Sequence, residues 1–134
     1  MKEAMRTMTQ NQRILVVDDE PDLTTVFSMG LEDDGFKVDA FNDPLLALVE
    51  FKKGSYDLIL LDYRMPKMNG FELYTEIRKI DDKVKMCFLT AFEMYYEELR
   101  KKFHSTYDNE NIKLIKKPIE IDELVRQIRG LLAS

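Results

Sequence analysis

Asp18-Asp19 follows Ile14-Leu15-Val16-Val17, Asp62 follows Leu58-Ile59-Leu60-Leu61, Thr90 follows Cys87-Phe88-Leu89, and Lys117-Pro118 follows Leu114-Ile115. Each polar group sits just past an apolar run. If those runs are parallel strands of one sheet, all of them fall on the edge made by the strands' carboxyl ends, where open α/β folds bind ligands. Carboxylates, a hydroxyl and an ammonium gathered on one crevice can hold a divalent cation and a phosphoryl group.

Asp18 and Asp19 are adjacent, so in a strict strand they point to opposite faces; just past a strand end the backbone turns and both can face the crevice. Two close carboxylates repel unless a cation sits between them. Asp62 ends a run fit for a buried strand, where a lone carboxylate is costly unless paired or bound. An all-oxygen donor set of this kind suits Mg²⁺, which keeps several waters and shares oxygens with phosphate. A carboxylate is also a competent nucleophile, able to form an aspartyl phosphate. The Lys117 ammonium can neutralise phosphoryl oxygens, and its position is fixed by Pro118, since a residue before Pro is driven extended. Thr90 can offer a hydroxyl to the same oxygens. Each residue has a plainer reading: Asp-Asp-Glu and Thr as helix caps, Lys-Lys-Pro as a solvated loop. Independent caps, however, have no reason to occupy four strand ends on one edge.

The elements that must position these groups alternate along the chain. Strands are predicted at 13–17, 36–41, 57–61, 84–89 and 112–115, the third being continuously apolar and therefore central. Pro21 opens a helix with a stripe of Leu23, Val26, Phe27 and Leu31 that stops at Gly35. Asn42-Asp43-Pro44 opens a second, with Leu45, Leu48 and Phe51 on one face and Gly54 as its end. A loop from Asp62 through Pro66 and Gly70 leads to a third helix carrying Leu73, Ile77 and Ile80. Ala91 to about Phe103 forms the fourth, and Ile121, Leu124, Val125, Ile128 and Leu132 mark the last. Five β–α units in series give the fold class: α/β, a flavodoxin-like doubly wound parallel sheet of five strands in the order 2-1-3-4-5 with five helices. In that order the first and third strands are neighbours at the topological switch point, which brings Asp62 beside Asp18 and Asp19. Residues 1–12 read as a flexible N-terminal segment and 13–134 as a single domain.

The bulk numbers agree. The chain has 134 residues, a net charge of −5, 45% hydrophobic and 34% charged residues, and one cysteine. That length buries a core without staples. The acidic balance disfavours a nonspecific grip on nucleic acid or an acidic membrane. A lone Cys87 among apolar neighbours reads as a small buried hydrophobe and rules out an intrachain disulfide or a cysteine metal cluster. With no spanning stretch and no signal-peptide core, the expected setting is cytoplasmic.

Val16-Val17-Asp18-Asp19-Glu20-Pro21, Asp62-Tyr63-Arg64-Met65-Pro66-Lys67-Met68-Asn69-Gly70, Thr90-Ala91 and Lys117-Pro118 together resemble the receiver domain of two-component response regulators. The resemblance runs from about Arg13 to Leu132. It implies that Asp62 accepts a phosphoryl group from a sensor histidine kinase or phosphotransfer protein. It implies that Asp19 and Asp62 bind Mg²⁺ through carboxylates, Asp18 through water, and that the Arg64 carbonyl completes the protein's share. Thr90 and Lys117 would contact the phosphoryl group, and the Lys117–Pro118 bond would be cis. Such a domain is no enzyme beyond catalysing its own phosphorylation and dephosphorylation. Its output would pass to a downstream protein through the face of helix four, strand five and helix five. No effector segment follows Ser134, so no direct nucleic-acid contact and no membrane contact are expected.

Two positions depart from the family pattern. Leu114 stands where an aromatic switch residue is usual, three before the Lys. The polar stretch 104–111 replaces a short small-residue turn before strand five. Two other readings compete: a degenerate receiver that docks without being phosphorylated, and a small flavodoxin-like or phosphatase-type enzyme. Intact acidic, Thr and Lys positions argue against the first. Against the second stand the acidic residues after strand one, which would repel a flavin phosphate, and the lack of an Asp-x-Asp pair there.

Overall fold

The computed structural model describes residues 12–104 and 111–133. Strands β1 (Arg13–Val17), β2 (Lys37–Phe41), β3 (Leu58–Asp62), β4 (Lys85–Thr90) and β5 (Ile112–Lys116) are all parallel and pair in the order β2-β1-β3-β4-β5. Helices α1 (Pro21–Asp33), α2 (Pro44–Glu50), α3 (Gly70–Ile80), α4 (Glu93–His104) and α5 (Ile121–Leu132) alternate with them. The flavodoxin-like order predicted from the alternation is the observed one.

Continuous apolar runs become central strands because both faces of the sheet are covered. Leu15, Val17, Ile59, Leu61, Met86 and Phe88 point to one side, where Ala47 and Phe51, Leu73 and Ile77, and Leu99 and Phe103 pack on them. Ile14, Val16, Leu58, Leu60, Cys87 and Leu89 point to the other, against Phe27 and Leu31 of α1 and Leu124 and Ile128 of α5. Cys87 is buried, and burial pushes its thiol up to about 12, so it is an inert part of this layer. No helix among the described residues is long and apolar enough to cross a membrane.

The helical stripes need correction in three places. Val26, Leu45 and Ile80 were expected to face inward and are exposed. Within α2 the buried residues are Pro44 and Ala47, the helix ends at Glu50 with the buried Phe51 as its C-cap, and Gly54 lies beyond in a left-handed turn at φ 77°. Ile80 is the last residue of α3, where the helix leaves the sheet. α4 begins at Glu93, two residues later than expected. Asp62 and Thr90 are themselves the last residues of their strands rather than the first beyond them. Of the expected lead-in at 1–12, residues up to 11 lie outside the described residues, as does 105–110 of the long polar stretch.

Candidate phosphoryl-acceptor site

Strand register sets the site. Val17 pairs with Leu61, so Asp18 and Asp62 stand one step further along neighbouring strands. Asp62 in turn pairs with Leu89, and Thr90 with Lys116, which delivers Thr90 and Lys117 to the same edge. Three backbone bonds extend the sheet just past its strands: Asp18 N–H to the Phe41 carbonyl (3.1 Å), Tyr63 N–H to Leu89 (2.9 Å) and Lys117 N–H to Thr90 (2.8 Å). The four sequence signals therefore converge, as the spacing predicts.

Lys117 is the hub. Its Nζ donates to Asp18 Oδ2 at 3.2 Å and lies 3.3 Å from Asp62 Oδ1. The Lys117–Pro118 bond is cis. Asp18 is 1% exposed and Asp62 7%, so these are buried charges held by a partner. Burial pushes the Asp62 carboxyl up to about 6; the nearby Lys117 opposes that rise, while the charges of Asp18 and Asp19 add to it. Burial works against the Lys117 charge too, but the Asp62 and Asp18 carboxylates outweigh it and hold the ammonium above its ordinary pKa.

The remaining groups border a cleft of about 520 Å³ that takes in Asp19, Asp62, Arg64, Thr90, Phe92 and Lys117. Asp18 is anchored from behind: Asn42 Nδ2 donates to its carbonyl at 2.8 Å, and its Oδ1 accepts the Glu20 N–H at 3.0 Å. Thr90 is 2% exposed, and its Oγ1 accepts the Phe92 N–H at 3.3 Å, bracing the turn before α4 rather than capping the helix itself. Leu114 is partly buried against the cluster that holds Phe88 and Leu99, so β5 contributes no ring there.

Carboxylate oxygens of Asp18, Asp19 and Glu20 come within 4.8 Å of one another. Glu20, to which the sequence gives no separate role, occupies the N-cap position of α1, but its side chain makes no capping bond, and it borders the cleft. This cluster offers oxygen atoms only, and Asp62 lines the same cleft as Asp19 and Glu20. Hard oxygen donors carrying excess negative charge fit Mg²⁺.

The response regulator receiver domain family matches this chain over residues 14–129. The transcriptional regulatory protein TrcR of Mycobacterium tuberculosis is 32% identical over 120 residues, covering 90% of this chain and 45% of that protein. PcoR of Escherichia coli, also a transcriptional regulatory protein, is 34% identical over 121 residues, covering 90% and 51%. The chain thus spans about half the length of these relatives. Among solved structures, Thermotoga maritima TrrA in complex with Mg(2+)-BeF superposes with a TM-score of 0.74 at 33% identity, covering 90% of this chain and 98% of that one. The non-phosphorylated HemR receiver domain of Leptospira biflexa gives 0.79 at 27%, covering 92% and 96%. Sequence signatures, sheet order and family match all agree: this chain belongs to the receiver domain family of two-component response regulators.

Proposed function

We propose that residues 13–134 form a working phosphoacceptor receiver of a cytoplasmic two-component phosphorelay, with Asp62 as the acceptor. The observation that carries this reading is the Lys117 ammonium set 3.3 Å from Asp62 and 3.2 Å from Asp18 at the base of the cleft. Asp62 Oδ attacks the phosphorus of a phosphohistidine on a sensor kinase or phosphotransfer protein. The P–N bond breaks and the imidazole nitrogen keeps its electron pair. Lys117 and the Thr90 hydroxyl meet the charge on the moving phosphoryl oxygens. Asp19 and Asp62 would hold Mg²⁺ directly, Asp18 through water and Arg64 through its carbonyl. When bound, Mg²⁺ draws charge from the phosphoryl oxygens and offsets repulsion among the carboxylates.

The output surface in this reading is the face of α4, β5 and α5. Lys116 pairs there with Glu93 at 2.7 Å and lies 4.7 Å from the Tyr96 ring centroid. Relatives named as transcriptional regulators support transcriptional control as the output. A net charge of −5 disfavours a nonspecific grip on DNA, and in this reading any DNA contact belongs to a partner domain or protein.

Acetyl phosphate with and without Mg²⁺, followed by intact mass, tests the reading. The parent should gain one acid-labile phosphoryl group only with Mg²⁺, and Asp62→Asn should gain none. No uptake by the parent points to the docking-only alternative. Steady phosphate release without a protein-bound phosphoryl group points to an enzyme.

A further inference from the structure

Four side chains close a circuit beside the cleft. Tyr63 and Arg64 directly follow Asp62, while Phe92 immediately precedes α4 and Tyr95 is in its first turn, shortly after Thr90. The Tyr63 and Tyr95 rings lie with centroids 5.0 Å apart, inclined at 37°. Tyr95 meets Phe92 edge to face at 5.6 Å and 82°. Phe92 in turn lies under the Arg64 guanidinium, 5.5 Å from centroid to carbon. All three distances are those of attractive ring–ring and cation–ring contacts. Because Tyr63 and Arg64 are bonded neighbours, the loop after Asp62 and the loop after Thr90 grip each other at two points, with Tyr95 in the middle.

Both ends of this grip are tied to the site. The Tyr63 N–H donates to Leu89, and its carbonyl accepts the Gly70 N–H at 2.7 Å, so a displaced Tyr63 ring displaces the backbone next to Asp62. The Phe92 N–H donates to Thr90 Oγ1. Strand pairing joins the two loops only as far as Asp62 and Leu89, with the Tyr63 bond one step beyond. Past that point the joining is done by these ring contacts and by a hydrogen bond from the Tyr63 hydroxyl to Glu98 of α4.

We propose that Tyr95 is a positioning residue for phosphoryl transfer, fixing the Asp62 loop against the Thr90 loop through its two ring contacts. The proposal rests on Asp62 being the acceptor. In-line transfer is sensitive to small misplacement of the attacking and stabilising groups, so loosening this contact lowers the maximal rate. Asp18, Asp19 and Lys117 hang from β1 and β5, outside the loosened loop, whereas Asp62 and the Arg64 carbonyl lie in it, so the rate is compared at saturating Mg²⁺.

The test compares the full chain with Tyr95→Leu, Tyr95→Phe and Tyr96→Leu, the last altering a ring that touches Lys116 outside the circuit. Acetyl phosphate is the probe, with uptake followed by intact mass across donor concentrations and Mg²⁺ binding followed by the rise in melting temperature. At saturating Mg²⁺, Tyr95→Leu should lose about ten-fold or more in maximal rate while the half-saturating donor concentration stays near the parent's. Tyr95→Phe, which keeps the ring, should stay within about two-fold of the parent, and Tyr96→Leu should match it. If Tyr95→Leu does not fold, Tyr95→Met removes the ring while keeping apolar bulk. A parent-like maximal rate without the ring, a Tyr95→Phe as slow as Tyr95→Leu, or a loss confined to the half-saturating concentration overturns the proposal. A parent that takes up no phosphoryl group, or Asp62→Asn taking up as much as the parent, fails the acceptor reading itself, and the proposal falls with it.

Discussion

The Arg64 guanidinium packs on the Phe92 ring at 5.5 Å, so the second residue after Asp62 and the second after Thr90 meet at the cleft. Phe92 both borders the cleft and packs edge to face on Tyr95 of α4, with 47% of its surface exposed. Loss of an acyl phosphate to water needs a water in line with the phosphorus, and neither side chain carries an acid or amide to orient one. Self-dephosphorylation should therefore be slow. Following phosphate loss from the purified phosphorylated protein, Arg64→Asn with Phe92→Glu should speed decay by about ten-fold or more. An unchanged decay in the double variant would remove this pair as the control.

Repulsion at the acidic edge gives a stability prediction. Asp62 is pushed up to about 6 by burial, with Asp18 and Asp19 adding their charge, and a bound cation reverses that environment. Mg²⁺ at a hundred-fold excess over its dissociation constant should stabilise the native fold by about 2.7 kcal/mol. Thermal melts with and without Mg²⁺ should show a rise in the parent and a much smaller one in Asp19→Asn. Equal rises in both would count against ligation by Asp19.

The sequence was legible where residue type and strand position coincided. Continuous runs such as Leu58 to Leu61 can be buried on both faces only in a covered parallel sheet, and Asp18, Asp62, Thr90 and Lys117 then had one edge to share. Less legible was the inward face of α2, because Ala47 carries little hydrophobic signal beside the more apolar but exposed Leu45. Glu20 drew no role from the sequence because a carboxylate at an N-cap position is ordinarily explained by a capping bond, and here that bond is not made. The circuit of Tyr63, Tyr95, Phe92 and Arg64 had no signature at all. Its contacts depend on how two loops close over one strand end, which no periodicity encodes.

Away from the site, Asp81 should contribute to acid stability. Burial works against its charge, but the N–H groups of Gly54 (3.0 Å), Lys83 (2.9 Å) and Val84 (3.1 Å) outweigh it and hold its carboxyl below the ordinary value of 3.8. A carboxyl lowered in the native state contributes stability that is present above its unfolded pKa and lost as pH falls through the folded one. Asp81→Asn should thus cost about 1–3 kcal/mol at neutral pH. The gap between parent and variant should close as pH drops below about 4. Denaturant melts across pH check it, and a gap independent of pH would show that the Asp81 charge is not the source.

Gly70 bears most directly on the acceptor's backbone. It is the first residue of α3, within the Asn69–Glu72 capping box, and its N–H donates to the Tyr63 carbonyl at 2.7 Å. A Cβ added there would stand 2.5 Å from the Asp62 carbonyl oxygen and 3.0 Å from Tyr63 Cα. Both are backbone atoms of the segment that carries the acceptor, so no side-chain rotation can relieve the overlap. Either α3 retreats or the Asp62 segment moves. Gly70→Ala should lose about 1–3 kcal/mol from overpacking. It should also slow phosphoryl uptake, because the displaced atoms adjoin the nucleophile. Gly30→Ala is the useful contrast: the nearest atoms to its added Cβ all belong to the Ile121 side chain, between α1 and α5 and outside the cleft. Melts and acetyl phosphate uptake measured on both variants should show destabilisation for each but slowed uptake for Gly70→Ala alone. If uptake slows equally in both, the effect is general loosening of the fold, and close approach of Gly70 to the Asp62 backbone has no special role in placing the acceptor.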